Sequence, residues 1–443
     1  MKRRMAKNDL LRALPQERLS LLCALGNLAD ESGAPLYLVG GVVRDLLLKR
    51  ENWDLDLAVE GDGVAFARLV ADRYGAGLAV FERFATARLT FTDGLKMDLA
   101  TTRRESYAQP ADLPAVQPAP IEEDLSRRDF TINAIAIQLN PQQFGCVLDP
   151  YGGRRDLRAR TIRVLHAGSF DDDPTRIFRA IRFEQRFGFR LERTTLRLLT
   201  QAASTNLIQR LSGPRLQNEI LLLFAERDPV RAIARLAQLK LLRFLHRRLS
   251  YRKDVHRTIM TVPKVLAWWA RRFPDSVIDR PILYLMALLS ESSPAVAASV
   301  IRRLALSREQ AKHVSAGSSW GDRALRRLTD KETIRPSQAY RLLADLSDEV
   351  LVLLLAKQQR MRQGAGLSRL KRHLVAYVKN KAVKTALTGR DLQAMGLQPG
   401  PQYGTLLGKL LDARLDGRIT TEAEERAFLQ KQLGLASATN QTR

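Results

Sequence analysis

Cysteine is nearly missing: Cys23 and Cys146 are the only two in 443 residues. Two cysteines make neither a disulfide framework nor a cysteine-rich zinc site, and such sparse use fits a reducing compartment. Long apolar runs are missing as well. No stretch approaches the ~20 apolar residues that a membrane-spanning helix needs. The basic start, Met1-Lys2-Arg3-Arg4-Met5, leads into apolar positions broken by Arg12, Glu17 and Arg18. That pattern reads as an amphipathic helix rather than a secretion signal, so no membrane partner and a soluble, cytoplasmic protein are expected. No internal repeat of consistent period stands out. Acidic residues are also in short supply: 47 against 72 Lys and Arg leave a net charge of +25. The excess runs along the whole chain. A broad positive field favours a polyanion, because each phosphate neutralised by a basic side chain releases condensed counterions.

What is present is globular, with 45% hydrophobic and 27% charged residues, and is long enough for several cores. Residues 8–31 carry leucines at helical spacing. Short strands then follow at 36–39, 55–59, 87–91, 96–99 and 134–139, with a helix over 63–74 between them. Residues 103–120, with Pro110, Pro114, Pro118 and Pro120, read as one long loop, either functional or disordered. From about Arg155 the strand signals fade and helical patterns take over, among them 173–187, 194–203, 214–225, 228–240, 259–272, 280–290, 294–305 and 348–359. Strands first and helices afterwards predict an α+β fold: a small α/β head with a mixed sheet, followed by an all-helical remainder. A second boundary is expected near Arg360–Gly366, and the polar end, Thr439–Arg443, is expected to fray.

Asp54-Leu55-Asp56 is the centre of the chemistry. On a strand, residues two apart share a face, so both carboxylates project together. Two such groups in a partly buried site call for a cation, and hard oxygen ligands suit Mg²⁺; a solvated strand is the alternative. Upstream, an apolar strand runs through Gly40-Gly41 into a helix bearing Arg44 and Asp45. Glycines and a helix N-terminus let backbone N–H groups approach an anion, and Arg44 is placed to fork onto a phosphate or else to pair with Asp45. Asp98, on a later strand, is the natural third acid or a plain surface residue. Three acids around two ions fit in-line nucleotidyl transfer. Arg127-Arg128-Asp129-Phe130-Thr131-Ile132-Asn133 enters an apolar strand and offers groups for phosphate and sugar, or a capped turn. Further on, Asp173, Arg176, Arg179 and Arg182 follow one helical stripe, which is either a solvated face or a reader of bases. A carboxylate beside a guanidinium matches the donor–acceptor edges of cytosine and adenine and opposes those of guanine and uracil, by the same logic as direct readout of duplex DNA.

Together these residues resemble the class II tRNA nucleotidyltransferase and bacterial poly(A) polymerase family. The likeness rests on Gly40-Gly41-x-x-Arg44-Asp45 with Asp54-x-Asp56, on Arg127-Arg128-Asp129-x-x-x-Asn133-Ala134, on Asp149-x-x-x-Gly153-x-x-Asp156-Leu157, and on Asp172-Asp173-x-x-Arg176-x-x-Arg179. It spans about residues 36–190, and a weaker likeness covers Leu387–Asp391, Pro399–Pro401 and Asp416-Gly417. The resemblance implies a seahorse-shaped chain with a head (1–152), a nucleotide-selecting neck (153–215), an RNA-binding body (216–362) and a tRNA-binding tail (363–443). It implies that Asp54 and Asp56 bind Mg²⁺ and that Gly41 and Arg44 contact the triphosphate. Arg128 with Asp129 would serve ribose and phosphate, Asp173 and Arg176 would read the base, and Arg179 and Arg182 would support the nucleotide. Asp149 to Leu157 would form a hinge, and the 103–120 loop would reshape the pocket between C and A addition. The implied partners are ATP, CTP and the acceptor arm of tRNA; addition of CCA, CC, A or poly(A) all share these motifs. One departure is Asp172, where the family commonly carries Glu. Some relatives also carry a phosphohydrolase domain, but the five histidines here include no His-Asp pair, so no such activity is expected.

Overall fold

The computed structural model of the chain describes residues 9–433 apart from 53, 107–108, 110–111, 113, 320, 331–333 and 362–363. The basic start, Pro110 and the polar end expected to fray lie outside the described residues. The chain forms two compact units, one up to Phe244 and the other from Leu245.

The first unit opens with helix α1 (Gln16–Glu31), whose buried residues Leu22, Leu25, Gly26 and Ala29 sit at i, i+3, i+4 and i+7, the spacing of a single apolar stripe. A seven-stranded sheet follows. Its strands are β1 (Leu36–Val39), β2 (Leu55–Val59), β3 (Gly77–Phe81), β4 (Thr86–Thr90), β5 (Lys96–Thr101), β8 (Ala136–Gln138) and β9 (Val147–Leu148), in the order β3-β4-β5-β2-β1-β8-β9. All neighbours are antiparallel except β2 and β5, which run parallel. Helix α2 (Gly41–Leu47) leaves β1 directly, and α3 (Gly63–Tyr74) crosses from β2 towards β3. The ends of α3 follow from local chemistry: Asp62 accepts a hydrogen bond from the Ala65 amide, and Gly75 closes the helix in the left-handed conformation.

Two expectations need correction. The stretch 103–120 is not a plain loop: β6 (Arg103–Ser106) pairs antiparallel with β7 (Ala115–Pro118) as a separate ribbon. Of its described prolines, Pro114 and Pro120 stand outside the paired strands and Pro118 at a strand end, where no ladder N–H is needed. Strands also persist beyond Arg155, since β10 (Thr161–Ile162) and β11 (Arg190–Leu191) make a short parallel pair. That pair brackets α7 (Thr175–Phe187) and its short forerunner α6 (Ser169–Asp172).

Between the ribbon and β8 lies α4 (Ile121–Ser126), and α5 (Gly153–Arg158) precedes β10. Beyond α7 come α8 (Arg193–Ser204), α9 (Leu207–Arg210), α10 (Gly213–Ala225) and α11 (Pro229–Gln238). Helices α10 and α11 both pack on α7. The second unit is helical throughout its described residues. Its centre is the helix Asp348–Arg360, in which every residue from Glu349 to Gln358 is buried. The helices Lys253–Arg272 and Arg280–Leu288 pack against it. A smaller apolar cluster forms around Leu387, Leu392, Leu410 and Leu429.

Candidate active site

The parallel pairing of β2 and β5 sets the site. It places Asp56 directly beside Asp98 in register, so both side chains leave the same face of the sheet. Asp54 lies one residue ahead of the strand and is exposed, whereas Asp56 lies within it and is half-buried. Burial, then the charge of Asp98 and more weakly that of Asp54, push the Asp56 carboxyl up to about 6, although Arg128 and Arg88 partly offset them. A carboxylate crowded in this way gains most from a cation. Among the described residues no three His, Cys, Asp or Glu side chains come together as a complete ion-binding group. An all-oxygen pair fits Mg²⁺ nonetheless, since that ion commonly takes one or two carboxylates and fills its octahedron with water and substrate phosphate oxygens.

Gly40 joins β1 to α2 with φ 75° and ψ −133°, a region open essentially to glycine alone. A Cβ there would stand 3.3 Å from an Nη of Arg128 and 3.4 Å from Oδ2 of Asp56. The bare backbone thus lets three elements of the site meet. Arg128 itself is held by Asp124 of α4, a buried carboxylate that also accepts from Nε and Nη2 of Arg127. Burial raises the Asp124 carboxyl, but Arg128 and Arg127 outweigh it and hold the group below the usual carboxylate range.

Of the two readings for Arg44, the structure shows the pair with Asp45, on the wall of the same cavity as Asp56. Arg44 Nε and Nη2 fork onto Asp45 at 2.9 and 2.8 Å, and Nη1 donates to Asn133 at 2.7 Å. Its guanidinium also lies 4.7 Å from the centre of the Phe187 ring. A guanidinium buried to this degree needs a full set of acceptors close at hand, and the adjacent Asp45 supplies them, so Arg44 braces the turn. Asp129 is likewise spent within the protein: it accepts from the Phe130 amide, from Asn133 and, through one oxygen, from Nε and Nη2 of Arg179. Burial raises its carboxyl, yet Arg179 and Asn133 more than reverse this and leave it lowered.

The neck motif folds differently from one continuous stripe. Asp173 precedes α7 and caps it, accepting from the amide and hydroxyl of Thr175. Its ionic partner is Arg215 of α10, at 2.8 Å, rather than Arg176. Arg176 is buried and donates to the Ser169 hydroxyl at 2.7 Å and to the Arg127 carbonyl. The separation follows from Pro174, whose place between α6 and α7 leaves Asp173 ahead of the α7 stripe. Arg179 and Arg182 both approach Glu219 of α10 at 3.8 Å, and burial lowers the Arg182 guanidinium against the pull of Glu219. Asp149 accepts from the amides of Gly153 and Arg154, while Asp156 accepts from Thr131 and Arg163. The expected hinge segment therefore ties the sheet's last strands to α5.

Arg44, Asp129, Arg179 and Arg182 help to line a cavity of about 670 Å³ within the first unit. Gly40, Gly41, Asp56, Arg128, Asp173 and Arg176 all face it, and eight arginines outnumber five carboxylates in its wall. A second cavity of about 270 Å³ holds Asp98 and Arg88, and shares Asp56, Arg127 and Arg128 with the first. Sequence reasoning missed Arg88, Asp124, Arg215 and Glu219. Of these, Arg88 was within reach: it sits opposite Asp98 once β4 and β5 are paired, as opposite charges across strands favour. The others act across loops or helix packing that no local pattern announces.

Residues 36–163 match the family described as the poly A polymerase head domain, and residues 188–252 match that described as a probable RNA and SrmB-binding site of polymerase A. An A-adding tRNA nucleotidyltransferase of Geobacter sulfurreducens is 39% identical over 96% of this chain. The chain spans about half the length of that relative, 48%. A CC-adding tRNA nucleotidyltransferase of Deinococcus radiodurans is 30% identical, covering 95% of both chains. A CCA-adding enzyme solved in an apo form superposes with a TM-score of 0.81 at 36% identity, covering 98% of this chain and 99% of its own.

Proposed function

The chain belongs to the class II tRNA nucleotidyltransferase and bacterial poly(A) polymerase family, and from that premise we propose that it adds nucleotides, without a template, to the 3′ end of tRNA. The observation that carries this reading is the position of Asp56 beside Asp98, at the wall common to an arginine-rich cavity and a second, smaller one. The larger cavity suits a nucleoside triphosphate, whose charge the arginines balance. The smaller one suits the end of an acceptor strand. Mg²⁺ held by Asp54 and Asp56, with Asp98 as a third acid, would activate the attacking 3′ oxygen and steady the leaving pyrophosphate. Arg128, fixed by Asp124, serves the phosphate side of the nucleotide against the Gly40-Gly41 turn. Asp173 accepts from the exocyclic amine of cytosine or adenine, and Arg176 presents N–H groups beside it, with Arg215 holding the carboxylate in place. Arg179 and Arg182 support the nucleotide from α7, and Asp129 keeps Arg179 aimed. Arg44, on the wall of the same cavity, would serve the triphosphate side while Asp45 and Asn133 hold its guanidinium.

Within this activity we favour addition of the terminal A. The A-adding relative shares 39% of aligned residues against 30% for the CC-adding one. Complete CCA addition is the second reading, favoured by the end-to-end likeness to a CCA-adding enzyme. Head, neck, body and tail are assigned to 1–152, 153–215, 216–362 and 363–443, with the last two taking the tRNA. Supplying ATP and CTP singly to tRNA ending at the discriminator base, at C and at CC separates the readings. A alone onto CC-ended tRNA is the expected result, and C added to the discriminator base overturns it.

A further inference from the structure

Asp98 is already occupied. Across the antiparallel pairing of β4 and β5, Arg88 donates from Nε to one carboxylate oxygen at 2.6 Å and from Nη2 to the other at 2.8 Å. Each carboxylate oxygen thus already accepts a charged hydrogen bond from the guanidinium. Both side chains are about half exposed, 51% and 49%, so this fork contributes little to folding and exchanges readily with solvent. Arg88 also lines the second cavity together with Asp56, whereas Asp173 and Arg176 line only the first. A guanidinium in this place does two things at once: it neutralises the charge that crowds Asp56, and it competes with any cation for Asp98.

We propose that Arg88 is a resident counter-ion of the carboxylate site, which a divalent metal must displace from Asp98, and that Arg88 thereby sets the metal affinity of the enzyme. This rests on the metal reading of Asp56 given above. The physical reason is the exchange itself. In the absence of metal, Asp98 without Arg88 would stand beside Asp56 as a second unpaired carboxylate on the neighbouring parallel strand, which like charges disfavour. With metal present, the guanidinium repels the incoming dication and must swing out into the cavity. Arg88 therefore stabilises the metal-free site and weakens the loaded one. It is a positioning residue, since it acts through Asp98.

The test is direct binding of Mn²⁺, followed by the loss of its free-ion paramagnetic resonance signal, with no nucleotide or RNA present. Arg88→Gln removes the competing charge while keeping a polar side chain. It should bind Mn²⁺ several-fold to about tenfold more tightly, on the order of the repulsion between a unit charge and a dication across a solvated site. Arg88→Lys keeps the charge and should bind within about twofold of wild type. Asp98→Asn should bind more weakly than wild type. The half-saturating Mg²⁺ concentration for nucleotide addition should fall in Arg88→Gln alongside the binding constant. Equal Mn²⁺ affinity in Arg88→Gln and wild type overturns the counter-ion role while leaving the metal site standing. Equal affinity in Asp56→Asn and wild type overturns the metal site itself. Circular dichroism of each variant separates both results from misfolding.

Discussion

Replacing Gly40 by alanine should damage the site and the fold by amounts the geometry allows one to work out. At φ 75° and ψ −133° an alanine is strained by about 1–3 kcal/mol. Its methyl would also stand 3.3 Å from Arg128, closer than ordinary van der Waals contact, and 3.4 Å from Asp56, at the edge of it. If the strain stays in place, the melting temperature falls by about 2–4 °C for each kcal/mol in a unit of this size. If the turn relaxes instead, it does so by moving away from Arg128 and Asp56. The same 1–3 kcal/mol then appears as a roughly 5- to 150-fold loss of kcat/KM. Gly75 is the control: it is also left-handed, but a Cβ there meets nothing within 4 Å. Gly75→Ala should cost about 1 kcal/mol of stability and no activity. Thermal melts and single-nucleotide addition kinetics on both variants decide the matter. Wild-type melting and kinetics in Gly40→Ala, or an equal loss of activity in Gly75→Ala, would refute the close approach of turn, arginine and carboxylate.

Asp129 gives a pH prediction. Its carboxyl is held below the usual range in the folded protein, chiefly by Arg179 working against burial. It therefore contributes stability that is full above the unfolded value, about 3.9, and is lost as the pH falls below that towards the depressed folded one. Asp129→Asn should melt lower at neutral pH, by ~1–3 kcal/mol, and should lose less than wild type on acidification below about pH 4; parallel melting curves at every pH would contradict this. The neck motif gives a split between two neighbours. Arg176→Ala leaves Ser169 and the Arg127 carbonyl without their donor, so it should cost ~1–3 kcal/mol of stability as well as relaxing base choice. Asp173→Ala should lower the preference for C and A with less effect on melting. The reverse ranking of melting temperatures would show that Arg176 is no brace.

The sheet and most helices were legible because their signals are local. The helix Gly63–Tyr74 carries its own start in Asp62 and its own stop in Gly75, and β2 and β5 alternate or run apolar as strands do. Strand β3 was not legible: Gly77–Phe81 alternates only between exposed and half-buried positions at the sheet edge, so its pattern is faint. The ribbon β6–β7 was hidden by proline content, which argued for a loop. At the site, the residue types were readable and their engagements were not. Nothing near Arg44 says that its guanidinium will reach Asn133, 89 residues away. Asp173 and Arg176 share a stripe only if the helix begins before Asp173, and Pro174 starts it later. Asp98 as neighbour of Asp56 depended on the parallel pairing of two strands separated by a helix and a hairpin, which composition does not reveal.

The central claim is that the carboxylates at the head of β2 and along it carry the chemistry. It is tested most directly by adding labelled ATP to CC-ended tRNA with wild type, Asp54→Ala and Asp56→Ala, while tRNA binding is followed by gel shift in the same samples. Both variants should bind tRNA as wild type does, since neither change removes a cation that could bind phosphate, and both should lose addition. Undiminished addition by either variant would contradict the account.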